Sequence, residues 1–139
     1  MPTGSQHDAY QQIRSIIQAT KTQIFIVDNY VDESTWQLLT NVSATVAIRI
    51  LTTKMQNDFA LEGKHFKAQH GNTVEVRKTG KVHDRFIVID RARGWHLGPS
   101  IKDAGSKAAL ISEIHSPSVI AAATQEIENL WNTSTVVTI

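Results

Sequence analysis

Short β-branched runs separated by amphipathic stretches are the feature that most narrows the folds open to this chain. Thr22–Asp28 (TQIFIVD), Thr45–Thr52 (TVAIRILT) and Thr73–Lys78 each have the length and residue types of a strand, the first two apolar on both faces. Between them, Asp8–Thr20 sets Tyr10, Ile13, Ile16 and Ile17 on one helical face. Asp32–Asn41 is a shorter helix with Trp36, Leu38 and Leu39 inward, and Lys54–Gln69 is rich in helix formers. Val82–Ile89 reads as another strand, followed by Gly94–Gly98 and a strand at Ala108–Ile114. Ser116 and Pro117 make a helix start, as cap and first position. The helix Ser118–Trp131 then aligns Ile120, Ala123, Ile127, Leu130 and Trp131, and Thr135–Ile139 is predicted as an edge strand. Strands alternating with helices predict an α/β layered sheet with helices on both faces. With no repeat, low-complexity tract or linker, residues 1–139 are expected to form a single domain.

Composition removes several function classes. The 139 residues include no cysteine, so disulfide scaffolds, thiolate zinc sites and thiol nucleophiles are excluded together. Apolar runs such as Phe86–Ile89 fall far short of the about 20 residues that cross a bilayer. The opening MPTGSQHDAY has neither a basic start nor an apolar core, so no signal peptide is expected and the expected compartment is cytoplasmic. The net charge of +1 hides an asymmetry: Ala47–Gly94 holds ten Lys and Arg against five acids, whereas Ala108–Ile139 holds no Lys or Arg. A basic middle attracts phosphate-bearing partners, although a solvated surface would read the same way. His65 and His70 lack the spacing that sets two ligands on one helical turn, and no P-loop, dinucleotide fingerprint or G-x-S-x-G elbow occurs.

One segment carries chemistry: Lys81-Val82-His83-Asp84-Arg85-Phe86-Ile87-Val88-Ile89-Asp90. On a strand, His83 and Arg85 share a face because side chains alternate. A neutral imidazole supplies a nucleophile or proton carrier, and a guanidinium fork grips two phosphate oxygens. Asp90 is placed to accept from a histidine ring and fix its tautomer, or else to begin a turn with Arg91.

His83-x-Arg85-x4-Asp90 resembles the H-x-K-x4-D signature of the phospholipase D superfamily, with Arg in place of Lys. The family's G-S-x-N turn is approximated by Gly98-Pro99-Ser100, with no Asn following, and Leu110–Ile114 resembles the later strand that carries a supporting Glu, here Glu113. The resemblance implies a phospholipase D-like α/β sheet and a metal-independent phosphodiesterase, most nearly a nuclease of the small single-motif branch, needing no cofactor. It implies that His83, Arg85, Asp90 and Glu113 are catalytic, and that Ser100, His96 and Lys102 lie along the substrate. For Glu113 a solvent-facing role, for Ser100 a turn cap and for His96 an ordinary strand position are the alternatives. With one motif copy, the implied active form is a homodimer in which two His83 side chains meet. A degenerate module that holds phosphates of nucleic acid or lipid headgroups without cleaving them is the competing expectation, membrane lipid being the lesser partner. Arg for Lys and the missing Asn favour it, since Arg does not shed its proton.

Overall fold

In the computed structural model, the described residues are 4–82, 84–98 and 111–139, with side chains from residue 11 onward. The chain runs α1 (Gly4–Gln18), β1 (Gln23–Val31), α2 (Glu33–Leu39), β2 (Ala47–Met55), α3 (Phe59–His70), β3 (Val74–Lys78), β4 (Arg85–Ile89), β5 (Arg93–Leu97), β6 (Ile111–Ile114), α4 (Pro117–Asn132) and β7 (Thr135–Val137). Among the described residues the strands form one seven-stranded sheet in the order β6-β5-β4-β1-β2-β3-β7. β1, β2 and β3 are parallel, joined through α2 and α3. β4 turns back antiparallel against β1, β5 and β6 extend that side, and β7 closes the other antiparallel to β3.

The expected helices on both faces are present. Ile13, Ile16 and Ile17 of α1, Trp36, Leu38 and Leu39 of α2, and Phe59 and Phe66 of α3 bury one face with Ile24, Ile26, Ile48, Ile50, Val74 and Val76. On the opposite face Ile127 and Trp131 of α4 pack on Phe25, Val27, Leu51 and Val88. Local signals hold at the helix starts. Asp32 Oδ1 accepts from the Ser34 amide (3.0 Å) and Ser116 Oγ from the Val119 amide (3.4 Å), so each caps an orphan N–H. Among the described residues no helix is long and apolar enough to cross a membrane.

Several boundaries differ from the sequence reading: α1 begins at Gly4 instead of Asp8, and β1 runs on to Val31 instead of ending at Asp28. β2 continues to Met55 instead of giving way to a helix at Lys54, because Lys54 pairs with Tyr30 of β1 and the Gln56 amide donates to the Val31 carbonyl (3.0 Å). α3 therefore begins at Phe59. β4 begins at Arg85, while Val82 is buried under α4. Of the strand expected at Ala108–Ile114, the described part is Ile111–Ile114.

The excess of basic residues is largely consumed by packing. The Arg49 guanidinium lies 5.0 Å from the Trp131 ring centre and pairs with Glu128 (3.4 Å). Arg77 covers the same ring at 4.9 Å and donates to the Trp131 carbonyl (2.9 Å), an acceptor it shares with the Ser134 amide (3.2 Å) at the end of α4. Arg91 reaches Glu128 at 2.8 Å. Three arginines of the basic middle thus hold α4 to the sheet.

Asp90 fixes the opposite edge of the β1–β4 pair. With Arg91 it forms the turn after β4, both residues at φ 55, closed by the Ala92 amide donating to the Ile89 carbonyl (3.0 Å). Asp is among the residues that visit this left-handed geometry, and here its side chain is held by the start of β1. The Asp90 carboxylate accepts from the amides of Lys21 (3.1 Å), Thr22 (2.7 Å) and Gln23 (3.2 Å) and from Thr22 Oγ1 (2.9 Å), while its own amide donates to the Gln23 carbonyl (2.8 Å). Partial burial raises its pKa, but the hydrogen bonds from Thr22, Gln23 and Lys21 outweigh that and hold it below the ordinary value of 3.8.

Two outcomes follow from this packing. A Cβ on Gly63 would lie 2.6 Å from Trp36 Cζ2, and that ring is held by its Nε1 donating to the Phe59 carbonyl (3.1 Å) and by stacking on Phe59. Gly63→Ala is therefore expected to destabilise by about 1–3 kcal/mol despite the better helix propensity. Gly80→Ala, with nothing within 4 Å of the new Cβ, should stay within about 0.5 kcal/mol in urea titrations. Because the folded pKa of Asp90 is depressed, its contribution is present above 3.8 and lost as pH falls through the folded value. Asp90→Asn should melt several degrees below wild type at neutral pH, the gap narrowing below pH 3.8. A gap that stays constant in melts from about pH 2 to pH 7 contradicts this account.

Candidate active site

Parallel strands present their carboxyl ends along one edge of a sheet, where ligands of open α/β folds bind. Here that edge collects the ends of β1, β2 and β3. Because β4 is antiparallel, the same edge receives its first residue, Arg85, together with the end of β5 at Leu97 and Gly98. One residue beyond the last ladder pair, Val27 with Phe86, Arg85 comes opposite Asp28, which pairs with Thr52, which pairs with Lys78. The row lies on the face that carries α1, α2 and α3.

The guanidinium of Arg85 is held from three sides. Its Nε donates to Asn29 Oδ1 (3.2 Å) and lies 3.8 Å from Asp28 Oδ1, and Nη1 donates to the Gly98 carbonyl (2.7 Å). Asp28 is fully buried and accepts from the Tyr30 amide (3.0 Å). A buried carboxylate needs a cation and hydrogen bonds to be tolerated, and this geometry supplies both. The Arg85 side chain remains 26% exposed, so the fork is pinned while part of it faces solvent. A guanidinium with five N–H donors keeps some available after these two bonds. Chemically the edge offers a fixed, permanently charged donor for an oxyanion.

The residues singled out from sequence distribute unevenly around this point. His83, Ser100 and Lys102 lie outside the described residues. Arg85 is at the edge. Asp90 is not beside it: five residues along β4, about 17 Å away, it ties the turn to the start of β1. Its carboxylate is committed to the amides of Lys21, Thr22 and Gln23, and the expected bond from the His83 ring lies outside the described residues with His83 itself. His96 pairs across the sheet with Phe86, on the face opposite Arg85; its ring meets Phe86 edge-on at 5.2 Å, and Nε2 is 3.8 Å from Asp84 Oδ1. Strand alternation separates it from the Arg85 row. Glu113 faces Trp95 across β5–β6 and binds Arg93 (3.0 Å), itself stacked 4.8 Å over Trp95. Its carboxylate is thus engaged toward the Asp90 end of the sheet.

Asp28 and Asn29 were not singled out in the sequence. The available signal was two polar residues directly after the apolar run Ile24–Val27, a pattern that also marks an ordinary turn.

No family model matches the chain, and no curated protein matches its sequence. Solved structures do match it. TrmBL2, an archaeal chromatin protein whose structure shows a novel mode of DNA binding, is 12% identical with a TM-score of 0.65; the alignment covers 96% of this chain and 52% of TrmBL2. NucT from Helicobacter pylori is 12% identical with a TM-score of 0.71, covering 96% of this chain and 93% of NucT. Polyphosphate kinase from Porphyromonas gingivalis is 8% identical with a TM-score of 0.52, covering 93% of this chain and 20% of the kinase. The chain thus spans about half of TrmBL2 and a fifth of the kinase. What it shares with them is fold, and the mixed seven-stranded sheet and four helices among its described residues are consistent with a phospholipase D-like α/β fold.

Proposed function

We propose that this protein is a metal-independent phosphodiesterase, a nuclease, whose site is completed by a second copy of the chain. The observation that carries the reading is the pinned Arg85 guanidinium at the carboxyl edge of β1–β3, two residues after His83 in the motif. The fold shared with NucT over nearly the whole of both chains supports it.

In this reading the neutral His83 imidazole attacks phosphorus. A P–N bond forms as the P–O bond to the leaving group breaks, and the leaving oxygen takes a proton from the imidazolium of His83 in the second copy. Water then attacks the phosphohistidine, returns a proton to that second imidazole, and releases the phosphate as the P–N bond breaks. Arg85 from each copy neutralises charge on the non-bridging oxygens, and its three-sided anchoring spares the cost of ordering it during reaction. Asp90 and Glu113 act at a distance, as positioning residues for β4 and β5. Ser100 and Lys102 are assigned to the substrate's flanks, whereas His96, on the other face of the sheet, is left out of the site.

A second reading has its own observation. Arg85 cannot give up a proton, and its Nε and Nη1 are committed to Asn29 and Gly98, a geometry suited to holding a phosphate. A binding module for phosphates of nucleic acid would use the same edge, and TrmBL2, similar in fold, binds DNA.

The test is hydrolysis of single- and double-stranded DNA and RNA in EDTA, with sedimentation equilibrium alongside. Turnover that survives chelation, disappears in His83→Ala and falls about 100- to 1,000-fold in Arg85→Ala, with a dimeric wild type, is the expected result. Salt-sensitive binding without turnover by wild type, lost in Arg85→Ala, selects the binding module instead. A strict monomer removes the shared site.

A further inference from the structure

Of the ten basic residues in the middle of the chain, the five arginines are engaged with acids or aromatic rings, as described above. Lys54 and Lys78 stand differently. Both are exposed, neither takes part in an ion pair among the described residues, and both lie at the edge that carries Arg85. The register decides their alignment. Lys78 shares its row with Thr52, Asp28 and Arg85, and Lys54, two residues beyond Thr52 and paired with Tyr30, points to the same face. From β4 to β3 the row crosses three strand spacings, about 14 Å. Arg85, Lys54 and Lys78 therefore form a line of positive charge that runs across strands β4, β1, β2 and β3.

We propose that Lys54 and Lys78 extend the Arg85 site into a track for a single-stranded nucleic acid, which is engaged through successive phosphates leading away from the reacting one. The inference rests on the phosphate-binding reading of Arg85. A single line of charges, long enough for consecutive phosphodiester links and far longer than one phosphate, matches one strand rather than the two backbones of a duplex. It also distinguishes this ligand from a lone headgroup, which needs only the Arg85 end. The half-buried Tyr30, between Arg85 and Lys54 in the sheet, places an aromatic ring along the path, a common companion of such tracks.

The experiment is fluorescence anisotropy of wild type and Lys54→Ala/Lys78→Ala with labelled oligothymidylates of two and eight residues in EDTA, over a salt series. Thermal melts confirm that the variant is folded. The expected result is at least about tenfold tighter binding of the eight-mer than of the dimer by wild type. In the variant that advantage is lost, and the salt slope for the eight-mer shrinks by about 1.4, near 0.7 for each phosphate contact removed. Equal affinity for the two lengths, or an eight-mer affinity and slope unchanged in the variant, overturns the track. So does tighter binding to a duplex, or to phosphatidylglycerol vesicles, than to the eight-mer. Hydrolysis of bis(p-nitrophenyl) phosphate by wild type, which presents a single phosphate, reports on the enzymatic reading separately, so the failure of either is recognised without the other.

Discussion

The antiparallel ladder between β1 and β4 is tied at both ends by an ionised pair of roles: a carboxylate at one end, a guanidinium at the other. Asp90 gathers the amides of Lys21, Thr22 and Gln23 at the start of β1, and Arg85 gathers Asn29 and the buried Asp28 at its end. Side-chain period on a strand is two, so a slip of one residue would turn Arg85 to the α4 face and leave Asp28 buried without its cation. The register and the site are therefore one constraint. Two residues of the motif therefore stand apart, with Arg85 at the edge and Asp90 about 17 Å off as a structural tie.

Charge type sorts the basic residues of this molecule more sharply than charge count. The planar guanidinium stacks on rings and forks onto carbonyls and carboxylates, so Arg49 and Arg77 clasp Trp131 while Arg93 covers Trp95. A lysine ammonium is compact and strongly hydrated, and Lys54 and Lys78 remain in solvent at the carboxyl edge. The surface charge available to a phosphate is consequently smaller than composition implies, and Lys54 and Lys78 place part of it at the edge that carries Arg85. Fold similarity to TrmBL2, NucT and polyphosphate kinase sets the frame, but chemistry belongs to this edge and the residues on it.

Much of the fold was legible in the sequence because its signals are local. The β-branched runs gave β1, β2 and β3 near their observed limits, and Ser116-Pro117 marked the start of α4 because capping is decided within four residues. Lys54 misled as a helix residue because its strand conformation comes from pairing with Tyr30, a partner more than twenty positions away. The motif around Arg85 was likewise legible, since His83-x-Arg85-x4-Asp90 is a linear pattern.

What the sequence by itself determined is the alternation of strands and helices, the caps, and the linear spacing of His83 and Arg85. Tertiary structure alone decided that Asp28 and Asn29 anchor Arg85, that Asp90 serves the start of β1, that Glu113 turns to Arg93, and that His96 faces away from the site. The reason is physical. Propensity, capping and periodicity act over a few residues, whereas which carboxylate meets which guanidinium depends on strand order and register, and those are settled only when distant segments pair and bury their apolar faces together.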